Sequence, residues 1–96
     1  MYNFEKNVIL DFREVRYYQE IHRIIKKALD FPEWYGGNLD ALYDCMTDLM
    51  EELDVEFLNW DRMEENLGDY AGKVLRVLRD AAEVNLNILL IGAPEL

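Results

Sequence analysis

Three short apolar runs constrain this chain more than any other feature: Val8-Ile9-Leu10-Asp11-Phe12, Val55-Glu56-Phe57-Leu58-Asn59-Trp60 and Leu86-Asn87-Ile88-Leu89-Leu90-Ile91. Each is strand-length and rich in β-branched or other apolar residues, and segments of helical spacing lie between them. Strands alternating with helices join through right-handed crossovers. The expected fold is therefore α/β, a small three-stranded parallel sheet covered by helices. The third run is almost continuously apolar, which predicts a strand covered on both faces or interior to the sheet.

The intervening segments carry the helical signal. From Tyr18 to Leu29, Ile21, Ile24, Ile25, Ala28 and Leu29 share one face, with Arg23, Lys26 and Lys27 opposite. Pro32 drives Phe31 out of the helical region, so this helix ends before it. Gly36-Gly37 permits backbone angles that other residues resist, and Asn38 is a good N-cap for a second helix. Leu39, Leu42, Met46, Leu49 and Leu53 would form that helix's apolar face. Farther on, Asp61 would cap a short helix to Asn66, Gly68 would break it, and Asp69 would cap a last amphipathic helix from Tyr70 to about Glu83.

With 96 residues there is room for one domain, spanning 1–96, and 51% hydrophobic content is enough to fold it without staples. Cys45 is the only cysteine, which excludes an internal disulfide and a cysteine-built zinc site. The stretch Met1–Asn7 is polar and no run is long enough to span a bilayer, so a soluble cytoplasmic protein is expected. Twenty acidic against ten basic residues leave a formal charge of −10. Such a field repels phosphate backbones and anionic membranes and favours a basic partner.

Enzymatic chemistry finds little footing. No phosphate loop is present, because Gly36-Gly37 leads into Asn38-Leu39 rather than a lysine. His22, the only histidine, reads as a residue at the edge of an amphipathic helix, and Cys45 as a small buried hydrophobe. Asp40, Asp44 and Asp48 recur every fourth residue, about 100–180° from Leu39 around the helix. A divalent-metal site would use such oxygen ligands, yet residues eight apart on a helix are about 12 Å apart, too far for one ion. No metal, cofactor or catalytic residue is expected.

The same aspartates make better sense as a binding face. Asp40 stands in the first turn, where the helix dipole favours a carboxylate in any case. Asp44 has no such reason to be there and repels both neighbours, which points to a cation supplied from outside. Trp34 and Tyr35 are adjacent and beside two glycines, so one is expected to pack on the core and the other to face a partner. Asp80 has a structural alternative as the ion-pair partner of Arg76 one turn earlier.

The stretch from Leu29 to Cys45 resembles the barstar signature, in which Pro-Glu-aromatic-Tyr-Gly precedes Asn-Leu-Asp-Ala-Leu and an aromatic-Asp pair; here these are Pro32-Glu33-Trp34-Tyr35-Gly36, Asn38-Leu39-Asp40-Ala41-Leu42 and Tyr43-Asp44. Weaker similarity takes in His22, Lys26-Lys27, Leu58-Asn59-Trp60 and Val77-Leu78-Arg79-Asp80-Ala81. The resemblance implies a protein inhibitor of a basic secreted ribonuclease, with a parallel sheet covered by helices. It implies that the second helix and the loop before it plug the nuclease active site. Asp44 would be the central carboxylate, flanked by Asp40 and Asn38, with Trp34, Tyr35, Gly36 and Tyr43 around them and Asp80 standing for a glutamate on the last helix.

The chain departs from the family pattern at Asp80, a methylene short; at Gly37, where the prototype has an acidic residue; at Asp48 and Leu49, which replace glycine and tryptophan; and at Leu86, which replaces a cysteine. These differences touch the rim more than the centre, which suggests an altered partner rather than a lost function. The expected partner is a basic ribonuclease or nuclease toxin, without nucleic acid or membrane, bound by a chain that is monomeric when free. An immunity protein for another nuclease toxin and a metal-dependent hydrolase using the second helix's aspartates are the alternatives.

Overall fold

The computed structural model describes residues 6–94, so the polar amino-terminal stretch falls outside it up to residue 5. The chain order is β1 (Lys6–Asp11), α1 (Tyr18–Leu29), α2 (Leu39–Thr47), β2 (Leu53–Leu58), α3 (Trp60–Val84) and β3 (Ile88–Ile91). All three strands are parallel in the order β1-β2-β3, with Val8 opposite Val55 and Leu53 opposite Ile88. Two right-handed crossovers that step in the same direction put their helices on the same face of a sheet. Burial agrees. Val8, Leu10, Leu53, Val55, Phe57 and Ile88 are buried on one face, whereas Ile9 and Leu89 opposite are more than half exposed.

This order corrects one expectation. β3 is an edge strand with a single neighbour, and Leu89 and Ile91 face outward. A continuous apolar run gives no indication of position in a sheet; here only alternate residues of it find helical cover.

α1 occupies the span its periodicity predicts. Glu20 reaches back to accept from the backbone N–H groups of Arg16 (2.8 Å) and Tyr17 (3.0 Å), satisfying two donors at the helix start. At the other end Asp30 turns into the left-handed region and its N–H returns to the Lys26 carbonyl. Ile21, Ile25 and Leu29 are buried beneath the helix.

The later boundaries shift. α2 stops at Thr47, so Leu53 belongs to β2, and Leu49 packs on the core from the turn between them. Trp60 is not in the strand, because Asn59 takes a positive φ of 61° and turns the chain into α3. That turn returns the indole to the core, edge-on to Phe12 with ring centroids 5.2 Å apart. Asn59 rather than Asp61 holds the cap position, and its side chain donates to Asp11 Oδ1 at 2.8 Å. At Gly68 the backbone leaves helical values (φ 41°, ψ −108°), so α3 is two helical segments meeting at a sharp kink, the break that the sequence predicts there.

Candidate functional site

The loop from Phe31 to Gly37 is folded around one ring. Tyr35 is buried, packs at a tilt against Phe31 with ring centroids 5.1 Å apart, and brings its hydroxyl to 2.5 Å from His22 Nδ1. His22 Nε2 lies 2.6 Å from the Tyr70 hydroxyl of α3. A neutral imidazole has one donor and one acceptor, so one phenol accepts from His22 and the other donates to it. Burial holds the His22 pKa below its ordinary value and pushes the Tyr35 phenol well up, which keeps this chain of hydrogen bonds uncharged. His22 is therefore the central connector between α1, the loop and α3 rather than a helix-edge residue.

With Tyr35 anchored, its neighbour has nowhere to go but solvent: Trp34 is 75% exposed. One of the two aromatics packs and the other is displayed, as expected. Tyr35 shapes the surface by holding the loop, while Trp34 presents its ring there. Gly37 adopts φ +68°, a conformation that favours glycine, and leads into Asn38. The Asn38 side chain accepts from the Ala41 N–H at 2.8 Å and starts α2.

α2 then displays its polar side. Asp40, Tyr43, Asp44 and Asp48 are exposed, while Leu42, Cys45 and Met46 are buried. The thiol of Cys45 is raised by burial and then by the nearby carboxylates of Asp48 and Asp44, so it remains a thiol. The ion pairs among the described residues are Lys6–Glu51, Arg13–Asp11 and Lys26–Glu33. None involves Asp40, Asp44, Asp48 or Asp80. Arg76 and Asp80, both exposed on α3, form no ion pair, so that alternative reading of Asp80 finds no support.

The helix is fixed from behind by a residue that no local pattern singles out. Asn85, buried at the end of α3, donates through Nδ2 to the carbonyls of Met46 (2.9 Å) and Leu49 (3.0 Å). Its Oδ1 accepts from Asn87 N–H at 3.1 Å, and Asn87 Nδ2 also donates to Leu49 (3.2 Å). The end of α2 is thus capped by the turn that leads into β3.

Of the candidate residues, those of the loop and α2 are neighbours along one surface, Tyr35 is buried beneath it, and Asp80 lies apart on α3. Asn38 and Asp40 border an open groove with Tyr18 and Tyr70, whose rings are 5.1 Å apart. Trp34 and Asp48 border a second pocket. Asp80 instead lines a groove between α3 and β3 with Arg79, Glu83 and Leu89. Tyr18 and Tyr70 were not legible as site neighbours, because only the fold brings them beside Asn38. No group of three or more histidine, cysteine or acidic residues among those described is arranged to hold a metal ion. No helix of the described residues is long and apolar enough to cross a membrane.

Fold and surface together define an acidic α/β domain whose unpaired carboxylates and displayed indole share one helix and its preceding loop. The family model described as "Barstar (barnase inhibitor)" matches residues 5–88. A Bacillus subtilis (strain 168) protein named "Putative ribonuclease inhibitor YrdF" is 38% identical over 79 residues, 81% of this chain and 87% of that relative. The chain belongs to the barstar family, whose members are inhibitors rather than enzymes.

Proposed function

We propose that the chain inhibits a basic, barnase-like ribonuclease in the cytoplasm by occluding its active site with α2 and the loop before it. The observation that carries this reading is the set of exposed aspartates on α2 that no cation of the described residues pairs, on a chain of net charge −10. A nuclease active site must hold phosphate and so gathers arginine, lysine and histidine, the groups that a rigid carboxylate face complements. Asp44 meets the centre of that cationic site, and Asp40 and Asn38 flank it. Trp34 and Tyr43 cover the region where a base would stack. Asp80, on α3, touches the partner at the margin.

Inhibition here is steric exclusion joined to charge pairing, without bond making. The test is a titration of the chain against a barnase-like ribonuclease, following RNA cleavage at low and high salt. Stoichiometric inhibition that weakens as salt rises is expected. Undiminished cleavage at both salts would leave the family fold without this activity.

A further inference from the structure

A second feature of the α2 surface lies beside the exposed indole. Phe31 and Cys45, both buried, form the base of a cavity of about 190 Å³, with Pro32 and Leu49 also lining it. Trp34, Asp30 and Asp48, all exposed, stand around its mouth. Sites for small molecules run from about 300 to 1,000 Å³, so this one is sized for a single side chain.

The charged side chains that line it, Asp30 and Asp48, have one sign. α1 ends with Asp30 at its C-cap and α2 with Asp48 at its C-cap, so the negative ends of two helix dipoles border the same cavity. α1 carries Lys26 and Lys27 in its last turn; Lys26 is taken up by Glu33 at 3.3 Å, and Lys27 lines, with Arg23, a separate groove that Asp30 also borders. α2 has no basic residue in its last turn at all. Neither Asp30 nor Asp48 has an ion-pair partner among the described residues. The Asn85 amide that satisfies the α2 carbonyls is neutral and leaves the Asp48 charge in place.

We propose that this pocket takes an arginine side chain of the partner, its methylenes on the apolar walls, its guanidinium against Trp34 and hydrogen-bonded to Asp48, with Asp30 as the second carboxylate. Arginine suits it better than lysine, because a planar guanidinium stacks on an indole face while its edge still binds a carboxylate. That the arginine belongs to a ribonuclease rests on the inhibitor reading above; the pocket's chemistry does not.

The experiment titrates the isotope-labelled full chain with N-acetyl-arginine amide and, separately, with its neutral isostere N-acetyl-citrulline amide, by heteronuclear NMR. The Trp34 indole N–H and the Asp48 and Leu49 amides should shift and saturate with arginine, while the buried Trp60 indole stays still. Citrulline should shift them at least about fivefold less, and Asp48→Asn should weaken the arginine response about threefold. Asp48→Asn keeps the C-cap and every other resonance should hold its place, which separates lost binding from lost fold. Equal responses to the two amides, an unchanged response in Asp48→Asn, or shifts confined to Asp40 and Asp44 would each overturn the pocket. No ribonuclease is in the tube, so a chain that inhibits none loses its partner and keeps the pocket. A chain that inhibits well but gives no arginine-specific shift loses the pocket and keeps the function.

Discussion

Asp40 and Asp44 stand one turn apart on α2, and like charges at that spacing cost a helix about 0.2–0.5 kcal/mol. Asp44→Ala removes the repulsion and adds a better helix former, so the free protein should gain a few tenths of a kcal/mol, read as a small rise in Tm. The same change should weaken ribonuclease inhibition by about 2–5 kcal/mol, the general range for truncating one member of a buried charge pair, which the family's prototype complex helped to establish. Glu52→Ala, outside the candidate residues, should change neither measurement. Equal effects of the two substitutions on affinity would remove Asp44 from the centre of the interface.

His22 belongs to the same scale. Its folded pKa lies below the ordinary 6.5, so the unfolded chain binds the proton more readily. Its contribution is fully present above about pH 6.5 and falls away as the pH drops from there toward the lowered folded pKa. Denaturant midpoints measured from pH 7.5 down to pH 5 should decline in the native chain and decline less in His22→Leu. Asp11 and Glu20, whose pKa values are lowered chiefly by accepted hydrogen bonds, lose their contributions only at more acid pH. His22→Leu also strands the Tyr35 and Tyr70 hydroxyls, at a cost of about 1–3 kcal/mol at neutral pH.

At the scale of elements, α2 has nine residues, too few to be stable in isolation. Its two ends are fixed by asparagines of different visibility. Asn38 caps a residue three positions away, and such local chemistry is legible in the sequence. Asn85 reaches carbonyls 36 and 39 positions away, which no local pattern encodes. Asn85→Ala should cost about 1–3 kcal/mol by leaving buried carbonyls unpaired, and hydrogen exchange should quicken first at the end of α2. An unchanged denaturant midpoint would show that the turn after α2 is held by Asn87 alone. The periodicity of α1 predicted its span because one continuous apolar stripe decides it. α2 and β2 were harder, since Leu49 and Leu53 continue the helical spacing across a boundary that the Asp48 cap and the pairing of Leu53 with Lys6 and Ile88 decide.

Across the whole molecule, charge governs approach more than grip. A net charge of −10 should speed encounter with a basic nuclease, and a Debye length that shrinks from about 10 Å at 0.1 M salt to about 3 Å at 1 M should remove most of that gain. Stopped-flow measurement should show the association rate falling steeply with salt while the dissociation rate changes far less. A salt effect carried mainly by dissociation would contradict steering by the overall field.

The sequence by itself determined the α/β class, the parallel strands, the loop into a capped helix and the row of aspartates on it. All of these rest on local spacing, on periods of two and 3.6 residues and on capping chemistry, which act between near neighbours. Tertiary structure alone decided which of Trp34 and Tyr35 is displayed, because the answer depends on His22 and Tyr70 closing over Tyr35 from two other helices. It also decided that β3 is an edge, that Asn85 holds α2, and that Asp30 and Asp48 meet at one pocket. Those contacts join residues far apart in the chain, where only the packing of the whole determines which groups are neighbours.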